Sequence, residues 1–199
     1  MSKGLIYIHG KGGSAGEAEH YKNLFPGYDV SGLEYKAQTP WEAQEEFPVL
    51  FDGFRSGQDE IIVAASSIGA FFAMNALSSR EIAKAYFISP IVDMEKLITG
   101  MLQRSHISEQ ELIEKGTIET DYGETLSWEY LSWIRAHPVS WNVPTSILYG
   151  EKDNLQSLET IRAFADRTGA KVTVMENGEH WFHTERQMEF LDNWIRSGY

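Results

Sequence analysis

Ile61-Ile62-Val63-Ala64-Ala65-Ser66-Ser67-Ile68-Gly69-Ala70 decides how the rest of the chain is read: an apolar run meets two serines, a bulky residue and then small ones. Read as a short buried strand, a tight turn and a helix, it leaves one serine on the turn with its hydroxyl directed away from the sheet. A turn this sharp brings the residues two before and two after that serine close together, so both must be small. Around Ser67 they are Ala65 and Gly69; around Ser66 they would be Ala64 and β-branched Ile68. The spacing selects Ser67. Taken alone, the stretch reads equally well as a buried strand and a core helix whose serines solvate the turn, so the decision falls to the other motifs.

The length, 199 residues, suits one core and is short for two independent ones, so a single domain is expected. The formal net charge of −12 disfavours nucleic acid and an acidic membrane surface as partners. Cysteine is absent, which excludes disulfides and thiolate chemistry and suits a reducing compartment. The opening Met1-Ser2-Lys3-Gly4 leads into only four apolar residues, too few for a signal-peptide core, and a cytoplasmic protein is expected. Residues 61–79 carry no charge over the length of a membrane span. Ser66, Ser67, Gly69, Asn75, Ser78 and Ser79 interrupt them, so a buried strand plus a buried helix is the better reading.

Upstream, residues 5–9 read as a first buried strand ending in Gly10-Lys11-Gly12-Gly13-Ser14, where glycines let backbone amides approach a ligand. A phosphate-binding loop does not fit, because the G-x-x-x-x-G-K-[ST] spacing is missing and Lys11 comes too early; a flexible surface loop is the plain alternative. Residues 29–35 read as a second strand. Phe47, Leu50, Phe51 and Phe54 recur at helical spacing within 41–54 despite Pro48. Downstream, 85–88, 145–149 and 171–175 read as further strands. Helices follow over 158–168, stopped by Gly169, and after the Thr184/Gln187 capping box. Strands alternating with helices predict a parallel sheet with ligands at its carboxyl ends. The rhythm breaks over 91–143, read as a helical insertion with one helix capped at Ser108 and stopped at Gly116, and another over 125–136. Its Trp128, Trp133 and Trp141 either roof an apolar pocket or anchor the insertion to the core.

A serine hydroxyl needs a base within hydrogen-bond reach, and that base needs an acid to hold its tautomer. Ser67, Asp153 and His180 each follow a strand, in the order expected for this triad on such a sheet. The amides of Ile68 and Lys11 are the expected oxyanion donors. His9, expected to pin the glycine loop, joins Gly10, Gly12 and Trp181 as expected substrate-side residues.

With these motifs in hand, the chain resembles a small, serine-dependent, esterase-like α/β-hydrolase. The resemblance spans nearly the whole chain: His9-Gly10, Ala65-Ser66-Ser67-Ile68-Gly69, Tyr149-Gly150-Glu151-Lys152-Asp153 and Gly178-Glu179-His180 stand in family order. It implies a three-layer α/β/α sandwich with a mostly parallel sheet of about six strands, a Ser67-His180-Asp153 triad, an oxyanion hole at Lys11 and Ile68, a lid within 91–143 and no cofactor. Ala65 departs from the usual glycine, a mild change because alanine is also small. The expected substrate is a small carboxylic ester; a thioesterase, an acyltransferase or a non-catalytic small-ligand binder on the same scaffold are the alternatives. Asp93 rivals Asp153 as the acid, and His183 rivals His180 as the base. A metal at His180-x-x-His183 lacks a third ligand. His20, His106 and His137 carry no motif.

Overall fold

The computed structural model describes residues 2–198, and these divide into two compact units. The first runs up to Val92 and resumes at Ser140; the second is Asp93–Val139. In the first unit β1 (Lys3–Ile8), α1 (Ala18–Tyr21), β2 (Tyr28–Gly32), α2 (Pro40–Arg55), β3 (Glu60–Ser66), α3 (Ile68–Ala76) and β4 (Lys84–Ile88) come first. The second unit holds α4 (Met94–Arg104), α5 (Glu109–Lys115), β5 (Thr117–Glu119), β6 (Thr125–Ser127) and α6 (Trp128–Ala136). β7 (Thr145–Gly150), α7 (Leu158–Thr168), β8 (Lys171–Met175) and α8 (Glu185–Gly198) complete the first.

Among the described residues the main sheet has six strands, all parallel, in the order β2-β1-β3-β4-β7-β8. Alternating side chains give the four inner strands two buried faces, while the edge strands β2 and β8 are only partly covered. On one face Leu5, Tyr7, Ile62 and Ala64 share a core with Ala18 and Tyr21 of α1 and with Leu191, Trp194 and Ile195 of α8. The interleaved residues Ile6, Ile8, Ile61 and Val63 are buried on the other face. There α2 and α3 pack on β1, and Phe47 meets Phe72 edge-on at 6.2 Å. Thr39 caps α2, which continues through Pro48 to Arg55. The strand order reverses direction between β1 and β3, the place where an open parallel sheet leaves a crevice at its carboxyl end.

Three boundaries differ from the sequence reading. Pairing of β2 stops at Gly32, opposite Tyr7, and Tyr35 turns away so that its hydroxyl donates to the His9 carbonyl at 2.8 Å. The expected helix over 125–136 begins only at Trp128, because Thr125–Ser127 pairs antiparallel with Thr117–Glu119. Thr120 closes that hairpin by exchanging hydrogen bonds with Glu124, and Gly123 supplies a φ of 83°. Ser127 then accepts from the Tyr130 amide as the cap of α6. Lastly, Trp141 lies in the first unit, where it is buried, packs on Phe87 and donates its indole N–H to Thr145. Within the second unit, Arg135 of α6 forks onto Glu109 and also reaches Glu95, holding α5 and α4 to α6. Among the described residues no helix is long and apolar enough to cross a membrane.

Candidate active site

Ser67 sits between β3 and α3 at φ 50° and ψ −124°, a left-handed conformation that an L-residue adopts only under constraint. The constraint is visible. The Ser67 amide donates to the Ile88 carbonyl at 3.0 Å, and the Ser67 carbonyl accepts from Ile91 at 3.1 Å and Ala70 at 3.2 Å. A Cβ at position 69 would lie 2.3 Å from the His9 carbonyl oxygen and 2.7 Å from that of Ile8. The small residue after the turn is thus required by the end of β1, a neighbour distant in sequence, and not only by the turn's own geometry. Gly10 is tight to a lesser degree, its absent Cβ 3.1 Å from that of Ser67. Ser66, partly buried like Ser67, points the other way. It continues the Ile62 and Ala64 face of β3 and bonds Tyr7 at 3.1 Å on that side of the sheet.

The candidate acid and base, Asp153 and His180, come from two turns zipped backbone to backbone. Lys152 donates to the Gly178 carbonyl at 2.7 Å and Glu151 to that of Met175 at 3.0 Å. Gly150 and Gly178 touch so closely that a Cβ on Gly150 would lie 2.4 Å from the Glu179 carbonyl oxygen. Asp153, its side chain fully buried, accepts at Oδ1 from the amides of Leu155 (2.8 Å) and Gln156 (3.2 Å). Its Oδ2 lies 2.7 Å from His180 Nδ1, and His180 Nε2 lies 2.8 Å from Ser67 Oγ. An ionised carboxylate can only accept, so the neutral imidazole carries its proton on Nδ1 and presents Nε2 as an acceptor to the serine hydroxyl.

By sequence, no family model and no curated protein matches the chain. Solved structures do. Est1E from Butyrivibrio proteoclasticus superposes with a TM-score of 0.77 at 16% identity, over 99% of this chain and 86% of that one. Alpha/beta hydrolase domain-containing protein 10 from mouse gives 0.70 at 18%, over 98% and 88%. An alpha-beta serine hydrolase homologue from Coxiella burnetii gives 0.64 at 15%, over 99% and 84%. The chain has the α/β-hydrolase fold.

On that α/β-hydrolase scaffold the other expected site residues find definite places. Ile68 is the first residue of α3, where an amide has no acceptor within its own helix. Lys11 and Gly12 form a turn closed from the Gly13 amide to the Gly10 carbonyl at 3.1 Å, with Gly12 at φ 77° as the third residue of such a turn requires. His9 bonds the Gly10 carbonyl through Nδ1 at 2.8 Å and stacks on Tyr35 at 4.3 Å, so its ring pins the loop. Trp181 is 73% exposed and stacks on His183 at 4.5 Å. The rivals are engaged elsewhere. His183 Nδ1 bonds the Trp181 carbonyl, and Asp93 caps α4 by accepting from the Lys96 amide. No group of three or more His, Asp or Glu side chains could hold a metal ion among the described residues.

One participant escaped the sequence reading. Gln156, 3% exposed, donates its amide N–H to Asp153 and accepts the Val92 N–H at its side-chain oxygen, 3.1 Å away. Val92 follows Ile91, which bonds the Ser67 carbonyl, so Gln156 links the acid turn to the serine turn through two short steps. Tyr149 donates to the Gln156 carbonyl at 2.8 Å, its hydroxyl pushed above the ordinary phenol range by burial and by the Asp153 charge. The only sequence cue was a glutamine three residues beyond the aspartate.

Proposed function

We propose that the protein is a serine hydrolase that cleaves a small carboxylic ester through an acyl-enzyme on Ser67. The observation that carries this reading is the unbroken relay Ser67 Oγ, His180, Asp153, with contacts of 2.8 and 2.7 Å at the carboxyl end of a parallel sheet. In the first half-reaction Ser67 Oγ attacks the ester carbonyl while His180 Nε2 takes its proton. The oxyanion of the tetrahedral intermediate accepts from the amides of Ile68 and Lys11, and the buried Asp153 carboxylate balances the imidazolium. Collapse of the intermediate breaks the ester C–O bond, and His180 returns the proton to the departing alcohol. Water then attacks the acyl-serine with His180 again as base, releasing a carboxylic acid and free Ser67. The Asp93–Val139 unit enters the chain between β4 and β7, and on that placement we assign it the role of a lid. A p-nitrophenyl ester series of increasing acyl length tests this: a sharp short-chain optimum fits a closed pocket, and undiminished turnover of long chains removes the role.

A fluorophosphonate probe tests the central reading, since it should label wild type and leave Ser67→Ala unlabelled. Absence of label on wild type, or equal label on the variant, overturns it. His180→Ala should lower kcat by roughly 10⁶-fold and Asp153→Asn by roughly 10⁴-fold with circular dichroism unchanged, because one removes the base and the other spoils the tautomer.

A further inference from the structure

The relay leaves a second polar network unexplained, on the opposite side of the serine turn. Glu17 accepts the Ser14 amide at Oε1 (3.1 Å) and the Tyr7 hydroxyl at Oε2 (2.6 Å). The Tyr7 oxygen lies 3.1 Å from Ser66 Oγ. Tyr7 has one hydroxyl proton and gives it to the carboxylate, so Ser66 is the donor in the remaining bond. Tyr7 is 2% exposed and stacked on Tyr21 at 4.8 Å, so the middle of the bridge is fixed in packed core, while Glu17 and Ser14 at its outer end lie on the surface. Burial pushes both phenols far above their ordinary range, which keeps both hydroxyls protonated and Tyr7 a donor to Glu17.

The two ends of this bridge are the two sources of oxyanion donors. Ser14 closes the glycine loop that contains Lys11, and Ser66 is bonded in sequence to Ser67, whose next residue is Ile68. The loop backbone is laid directly on the carboxylate: a Cβ on Gly13 would stand 2.5 Å from Glu17 Oε1. A loop with glycine at 10, 12 and 13 has little stiffness of its own. Oxyanion donors must sit about 2.7–3.1 Å from the developing charge, so the loop needs an external clamp.

We propose that Glu17 is a positioning residue which, through Tyr7 and Ser66, holds the amides of the glycine loop in register with Ser67 for oxyanion binding. This rests on the serine hydrolase reading. Glu17 touches no reacting atom; it acts on the loop, and the loop acts on the substrate.

The test uses Glu17→Ala, Glu17→Gln and Tyr7→Phe in the full chain. Active sites are titrated with a fluorophosphonate, so that kcat is expressed per competent site, and amide hydrogen exchange is followed over 10–14 and 66–69. Glu17→Ala and Tyr7→Phe should lower kcat per titrated site by about 10- to 100-fold with KM little changed, the size expected for displacing a reacting geometry by about 1 Å. Exchange should quicken in both segments together. Glu17→Gln, which keeps an oxygen for the Ser14 amide, should recover part of the rate. A residue that merely stabilised the fold would reduce the fraction of competent sites and leave kcat per site unchanged. That result, or exchange that quickens in one segment alone, overturns the inference. Wild type that neither labels nor turns over fails before any variant is compared, and it sinks the hydrolase reading and this role together.

Discussion

Asp153 spends one oxygen on the imidazole and the other on two backbone amides, so its orientation is set before any substrate arrives. Gln156 supplies one of those amides and, with its side chain, ties the same turn to Val92. Gln156→Ala leaves a buried Val92 N–H without that acceptor, a loss of about 1–3 kcal/mol. For a chain of this size each kcal/mol is roughly 2–4 °C of Tm. Thermal unfolding should therefore show a drop of several degrees, and ester turnover should fall by less than in Asp153→Asn, because the carboxylate remains. The convergence of Ser67, Asp153 and His180 was legible in the sequence because each follows a strand within a short motif of small residues. Gln156 and the Glu17-Tyr7-Ser66 bridge were not. Their partners lie 64 and 59 residues away, and neither a glutamine nor a tyrosine in an apolar run announces a hydrogen bond. Part of what distinguishes Ser67 from Ser66 is equally hidden: the carbonyls that forbid a side chain at Gly69 belong to Ile8, the end of β1, and to His9 after it, about 60 positions upstream.

At the scale of elements, the turns after β7 and β8 carry Asp153 and His180, and their backbones touch at Gly150 and Gly178. A methyl group on Gly150 meets backbone atoms that no rotamer change can move aside. Gly150→Ala should push the turns apart, lower Tm, and cut turnover about 100-fold or more by separating His180 from Asp153. Gly53 is the control. It lies within α2, and a methyl group there would find no other atom within 4 Å, so Gly53→Ala should raise stability by about 0.5–1 kcal/mol and leave activity unchanged. Calorimetry and steady-state assays on the pair check both expectations. Most strands of the main sheet were legible as apolar runs, and α5 and α8 by their capping boxes, whereas α1 and α4 went unread. The β5-β6 hairpin was not, since three-residue strands are too short to show a period of two and Thr125–Ser127 runs directly into α6.

Across the whole molecule the acidic surface governs the response to pH. Glu42, Glu60 and Glu109 have carboxyls held below the ordinary 4.5. The main causes are, in turn, the Gln38 amide, the Tyr28 hydroxyl and the Arg135 guanidinium. A carboxyl lowered by folding stabilises fully above its unfolded value, and the contribution disappears as pH falls through the lowered one. Tm should thus show no loss from these groups above about pH 5 and decline below about 4.5. A Tyr28→Phe variant should show a shallower decline, as followed by thermal melts across that range; an equal slope would remove Glu60 from the account. The same molecule-wide view reaches back to synthesis. The imidazole of the relay follows the serine by 113 residues. At about 5–20 residues per second, a ribosome needs roughly 6–23 s to supply it after the serine has been made. On the proposed mechanism, the nascent chain carries an unassisted alcohol throughout that interval and gains its nucleophile only after the last strand of the sheet and the turn beyond it have been made.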